Sequence, residues 1–266
     1  MNKSNLSYNH PYHLVTLSPW PLLTSLNLMT MLLGAIKWFY ELNNYNLILM
    51  SFLTLNLSIF QWWRDIIRES TYQGFHSKKV SKLIRLGMIL FIISEIFFFF
   101  SFFWTFFHMS LSPSIEIGSM WPPKLIHPFN PYNIPLLNTI ILLSSGISIT
   151  WSHYNILNKK YTKSIITLII TIFLGMYFTI LQYLEYNEAS FSMSDSIYGS
   201  TFYLITGFHG IHVIIGTIFI IITMLRLMNF QFSPYHHFGF EASSWYWHFV
   251  DVIWLFVYIS IYWWTY

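Results

Sequence analysis

Seven apolar blocks, separated by short polar gaps, leave this 266-residue chain very few folds. They run Pro21–Tyr40, Asn46–Trp63, Leu83–Phe107, Ile134–Leu157, Ile165–Leu184, Ile197–Leu225 and Ser244–Trp264. A helix that crosses a bilayer needs about 20 predominantly apolar residues. Charged residues make up 9% of the chain, against about 25% in soluble domains. The solvent is therefore mostly lipid, where only helices and closed barrels satisfy their own backbone. The blocks read continuously, as in "MILFIISEIFFFFSFFWTFF". A barrel strand alternates, so it is a poor match. The expected fold is an all-α membrane protein with seven transmembrane helices. The third and sixth blocks exceed the minimum length and should tilt or extend past the hydrocarbon.

Charge supports the count. Seven crossings put the N-terminus and the second, fourth and sixth loops on one side. That side holds Lys3, Arg64, Arg68, Lys78, Lys79, Lys82, Arg85, Lys159, Lys160, Lys163 and Arg226, leaving Lys37 and Lys124 on the other. The positive-inside rule places the N-terminus in the cytoplasm or its organellar equivalent. Glu41, Glu116, Glu185, Glu188 and Asp195 gather on the far side. The net charge of +3 comes from short loops. It fits contact with anionic lipid rather than nucleic acid. Cysteine is absent, which excludes disulfides and thiolate metal sites. No cleavable presequence is visible. Alanine occurs only at Ala35, Ala189 and Ala242 while phenylalanine occurs 26 times, a skew that fits an AT-biased genome.

The longest polar stretch, Arg64–Lys82, separates two spans from five, and the second long connection is Ser110–Asn133. Prolines 113, 122, 123, 128 and 131 forbid a helix interior there. With Trp121 and Phe129 it reads as an ordered interfacial loop. Tryptophans near span ends, among them Trp20, Trp62, Trp63, Trp104, Trp151, Trp245, Trp247, Trp263 and Trp264, read as interfacial belts.

Polar residues at membrane depth are rare and costly. Glu95 lies about twelve residues into the third span, among Ile92, Ile93, Ile96 and Phe97. It reads either as a proton-handling or regulatory carboxyl, or as a neutral acid hydrogen-bonded to a neighbouring helix. His248 and Asp251 lie three apart on one face of the last span. They form a structural pair or a proton relay. His209 and His212, also three apart, could ligate a metal with help from His108 or His153. They could equally hydrogen-bond across helices that approach over Gly207, Gly210 and Gly216. His236 and His237 read as solvated loop residues. Trp62, Trp63, Arg64, Asp65, Arg68, Glu69 and His76 crowd one interface. This suits either a phospholipid headgroup site or an ordinary basic cap with surface ion pairs. No nucleotide loop, nucleophile elbow or zinc-protease motif occurs.

Several long motifs, in order, carry a resemblance: "HPYHLVTLSPWP", "QWWRDIIRESTYQG", "GMILFIISEIFFF", "WPP", "NIPLLNTIILLSSGISITWSH", "GSTFYLITGFHGIHVIIGT" and "FGFEASSWYWHFVDVIWLFVYISIYWW". Over essentially its whole length the chain resembles the subunit III family of mitochondrial cytochrome c oxidase. The resemblance implies a two-plus-five arrangement of seven helices around a lipid-filled cleft, divided here as residues 1–75 and 76–266. It implies haem and copper in partner subunits I and II, with accessory subunits nearby, and neither cofactor nor catalytic residue in this chain. The bland reading of His209 and His212 is thereby favoured. Trp63, Arg68, Glu69, His76 and Arg226 match positions that contact lipid headgroups in the family, Trp104 matches a cleft-lining position, and Glu95 matches the family's intramembrane glutamate. A non-catalytic core subunit of the terminal oxidase is implied. It would sit in the mitochondrial inner membrane, N-terminus in the matrix and C-terminus in the intermembrane space, and would bind phospholipids but no nucleic acid. Two rivals make different predictions. A haem-carrying cytochrome needs facing buried histidines on two helices, and a secondary transporter needs broken helices in matched halves.

Overall fold

A computed structural model describes residues 11–41 and 45–266, so Lys3 of the basic side and His10, which opens the first motif, lie outside the described residues. Among the described residues seven α-helices account for most of the chain: α1 (Trp20–Tyr40), α2 (Asn46–Thr71), α3 (Lys78–Leu111), α4 (Ile134–Leu157), α5 (Tyr161–Glu188), α6 (Ile197–Met228) and α7 (Phe238–Val257). The last continues as a π-helical segment, Tyr258–Trp263. Among the described residues the extended pairing is a single isolated bridge, Ser233 with His236.

Among the described residues six helices are long and apolar enough to cross a membrane, and α2 falls outside that group. Ser51, Thr54, Asn56 and Ser58 dilute its apolar content. Two compact units divide the chain, Met1–Ile84 and Arg85–Tyr266, and the division falls inside α3.

The helices begin where the sequence allows. Pro21 and Pro135 occupy the first turns of α1 and α4, where a missing N–H costs nothing. Ser196 caps α6 by accepting from the amides of Tyr198 (3.1 Å) and Gly199 (3.4 Å). Hydroxyls inside the helices bond back to carbonyls three or four residues earlier, as Ser94 does to Phe91 (2.6 Å), Ser101 to Phe98 (2.7 Å) and Thr105 to Ser101 (2.9 Å). No lipid-facing hydroxyl need then go unpaired.

In the first unit α1 packs on α2 through small and polar residues. Gly34 lets the backbone at Ile48 approach so closely that an added Cβ would sit 2.8 Å from its nitrogen. Asn27 Nδ2 donates to Ser58 Oγ (2.8 Å), and Thr54 Oγ1 donates to Asn27 Oδ1 (3.2 Å).

In the second unit α4, α5, α6 and α7 form the core. Trp247 is 0% exposed. Its ring lies over Gly216 and Gly175, where added Cβ atoms would meet it at 2.9 and 2.7 Å, and its Nε1 donates to Ser145 Oγ (2.8 Å). One indole thus joins four helices. This corrects the interfacial placement of Trp247, because two facing glycines open a slot for it inside the bundle. Trp254 makes a similar hydrogen bond to α4, donating to Thr139 Oγ1 (3.0 Å), with Phe178 edge-on to its ring. Paired hydroxyls, Ser148 with Thr171 and Ser152 with Ser164 (both 2.7 Å), tie α4 to α5. The α3 segment of this unit reaches α6 and α7 through aromatic side chains, such as Phe98 on Phe208 and Phe99 on Phe249. The α3–α4 connection is ordered, with Trp121 edge-on to Phe106 and Tyr198, and Phe129 stacked on Phe202.

Candidate functional site

Three groups of side chains hold the candidate residues. The first lies in the unit that carries α1 and α2. Helix α2 runs eight residues beyond its apolar block, since Arg64–Thr71 contains no breaker. Its charged end is internally organised. Trp20 Nε1 donates to Asp65 Oδ2 (2.7 Å), and Arg64 clasps Asp65 Oδ1 through Nε (3.1 Å) and Nη2 (3.0 Å). The Trp20 indole, together with the Arg64 and Arg68 guanidiniums, holds the Asp65 carboxyl below the usual aspartate range although desolvation opposes them. Glu69 accepts from Thr16 Oγ1 (3.0 Å) and lies 3.3 Å from His13 Nε2. His13 in turn meets the edge of His76. Arg68 stays 3.7 Å from Asp65 with its side chain mostly exposed, and Trp63 is 55% exposed. Glu69 therefore serves to anchor the N-terminal strap, while Arg68 and Trp63 face outward.

The second group lies within the other unit. Glu95 Oε2 is 3.0 Å from His212 Nε2, linking α3 to α6. Because His212 Nδ1 is 2.7 Å from the Phe208 carbonyl, which can only accept, Nδ1 carries a proton. The Nε2–Glu95 contact then needs one further proton, held either on the imidazole or on the carboxyl. Phe99 lies edge-on to His212 (5.0 Å) and Tyr246 stacks on it (6.2 Å). The pair is thus walled by aromatic rings, and one proton can move between two heavy atoms at this point.

His209 does not share a centre with His212. Its Nε2 faces the Val250 carbonyl at 3.2 Å, so the two histidines turn to different neighbours. Of the three glycines expected to bring a helix close, only Gly216 does so. Gly210 has open space beside it and Gly207 has only the Tyr186 hydroxyl, 3.9 Å away. Both line an open hollow of about 220 Å³ beside Phe178, Gln182 and Ile214.

The third group is His248 and Asp251, whose Nδ1 and Oδ2 are 3.9 Å apart. Asp251 is buried against Gly146, where a Cβ would lie 2.8 Å from Oδ2. The 3.9 Å between His248 and Asp251 is beyond a hydrogen bond. Elsewhere in this unit Trp104 is 65% exposed. Arg226 donates through Nε to Gln231 Oε1 (3.1 Å) and lies over the Phe232 ring (4.4 Å).

Two residues are more buried than their positions along the chain suggest. His237 is 5% exposed, not solvated, and it faces His153 and Glu241. Glu185, among the acids of the far side, is 1% exposed near the end of α5. A loop position and a span-end position give no hint of burial. Only the aromatic surroundings in sequence could have signalled it.

The family profile of cytochrome c oxidase subunit III matches residues 10–266. The chain belongs to the cytochrome c oxidase subunit III family. Proteins named cytochrome c oxidase subunit 3 are similar to it along nearly all their length. That of Aedes aegypti is 57% identical over 256 residues, covering 96% of this chain and 97% of the relative. That of Pisaster ochraceus is 56% identical over 259 residues, covering 97% and 99%. That of Drosophila melanogaster is 56% identical over 256 residues, covering 96% and 97%. With this family membership the helices read as a multi-pass membrane protein.

Proposed function

We propose that this chain is a core subunit of a respiratory terminal oxidase that itself carries no redox centre. The observation that carries the reading is the family match across residues 10–266. In this reading the complex oxidises cytochrome c, reduces oxygen to water and moves protons across the mitochondrial inner membrane. Subunits I and II hold the haem and copper, and this chain packs against subunit I among accessory subunits. The N-terminus lies in the matrix and the C-terminus in the intermembrane space. The outward-facing Arg68 and Trp63, with Glu69 and His76 behind them, receive a phospholipid headgroup. Arg226 receives another with the guanidinium hydrogens left over from Gln231, and Trp104 meets acyl chains. Glu95 and His212 hold a proton inside the membrane and support proton supply to the neighbouring subunit. His248 and Asp251 are an intramembrane polar pair of structural weight. A haem site on His209 and His212 is disfavoured because both Nε2 atoms already face protein partners, Val250 and Glu95.

Removing this chain from the purified complex tests the reading. The haem and copper content should stay with the remaining subunits, while turnover should decay faster and proton uptake should slow. A stoichiometric haem Soret band from this chain purified alone would overturn it.

A further inference from the structure

His153 at the end of α4, His237 just before α7 and Glu241 in its first turn each offer one ligand atom, all within 4.8 Å of one another. His237 Nδ1 lies 3.0 Å from the Ser233 carbonyl, which can only accept. The proton therefore sits on Nδ1, and the Nε2 lone pair of neutral His237 points at the other two residues. Metal-bound histidines are oriented in this way, by a backbone carbonyl on the far nitrogen. His237 Nε2 is 3.1 Å from His153 Nε2 and 3.4 Å from Glu241 Oε1. In a tetrahedron with bonds of about 2.0–2.1 Å, neighbouring ligand atoms lie roughly 3.3 Å apart. Two edges of such a site already exist. Arg85 grips the carboxylate through Nε (2.9 Å to Oε2) and Nη2 (3.0 Å to Oε1). It orients Glu241 but also sets a positive charge beside the site. Ser233 is fixed in turn by a reciprocal backbone pair with His236, both bonds 3.2 Å. His153 and Glu241 are only partly covered, so a water can complete the coordination.

We propose that His153, His237 and Glu241 form a binding site for a divalent transition metal of the zinc class, with water as fourth ligand. Two imidazoles, one carboxylate and an open position suit Zn2+ better than Mg2+ or Ca2+, which prefer all-oxygen shells. Binding requires His153 to move its proton from Nε2 to Nδ1, a tautomer change that releases no proton from the neutral ring. The metal would pin the end of α4 to the start of α7. The competing account is a metal-free cluster in which His153 Nε2–H donates to His237 and Glu241 simply pairs with Arg85.

The complex purified through a tag on this chain, stripped with chelator and titrated with radioactive Zn2+, separates the two. The native complex should hold one equivalent more than a His153→Gln/His237→Gln double variant. Zinc K-edge absorption of the native complex, which requires no variant to fold, should show two imidazole ligands. Arg85→Gln should bind Zn2+ about tenfold more tightly, the effect of removing one positive charge a few ångströms from a divalent ion in water-like surroundings. A misfolded variant would not gain affinity. Equal zinc in native and double variant, an absorption spectrum with oxygen ligands alone, or unchanged affinity in Arg85→Gln would each overturn the site.

Discussion

The α1–α2 pair and the α4–α7 bundle solve the same problem with opposite materials. Only 6% of the most apolar stretch of α1 is buried within the protein, against 61% of that of α7. The pair meets through Gly34, Asn27, Thr54 and Ser58, leaving its leucines and phenylalanines outside. The bundle instead encloses Trp247 in a slot cut by two glycines and closed by the Ser145 hydroxyl, and Trp254 between the Phe178 ring and the Thr139 hydroxyl. In lipid there is no gain from hiding an apolar group as such, so contact is decided by close fit and polar pairing. Hydrophobicity marks what lies in the membrane. It does not mark what lies in the core.

Trp247→Ala tests the bundle side of the comparison most severely. A void among four helices should cost about 3–5 kcal/mol, seen as a large loss in denaturant or thermal resistance. Gly216→Leu should do comparable damage by filling the slot. If either is neutral, the indole is not the organising element. The Glu95–His212 link comes next. A double-mutant cycle with Glu95→Gln and His212→Phe should give a coupling of about 0.6–1.7 kcal/mol, the range for polar pairs between membrane helices. Zero coupling would make the two groups independent. On the pair side, Asn27→Leu should cost roughly 0.6 kcal/mol on the same scale, measured as loss of α1–α2 association. A cost as large as that of Trp247→Ala would erase the contrast between the regions.

The smallest effect concerns Asp65, two residues past the apolar block of α2. Trp20 and the arginines lower its folded pKa. Its contribution is therefore present above the ordinary aspartate pKa and is lost as pH falls through the lowered folded value. Asp65→Asn should flatten that acid limb, read from the solvent exchange of the Trp20 indole N–H. An unchanged limb would show that the carboxylate is not what holds Trp20.

Span existence was legible because long apolar blocks have one solution in a bilayer. Helix ends were less so. Nothing in Arg64–Thr71 stops α2, and hydropathy senses polarity rather than the end of hydrogen bonding. Side-chain fate followed rotation about each helix, which no single block reveals. The partner of Glu95 stands 117 residues away, and only the docking of α3 against α6 selects His212 over His209. Trp247 was misplaced because tryptophan near a span end is usually interfacial, whereas Gly175 and Gly216 come from two other helices. His237 reads as solvated from its loop position, whereas His153 of α4 and Glu241 of α7 stand 84 and 4 residues away and join Ser233 in covering it.

The depth of Glu95 has an electrical consequence. Twelve residues of α3 between Leu83 and Glu95 correspond to about 18 Å of rise, roughly the middle of a hydrocarbon layer about 30 Å thick. A charge crossing the whole layer exchanges about 2.3 kcal/mol with each 100 mV. A proton arriving at Glu95 from either aqueous phase would traverse about half of that drop, so its delivery would respond to voltage.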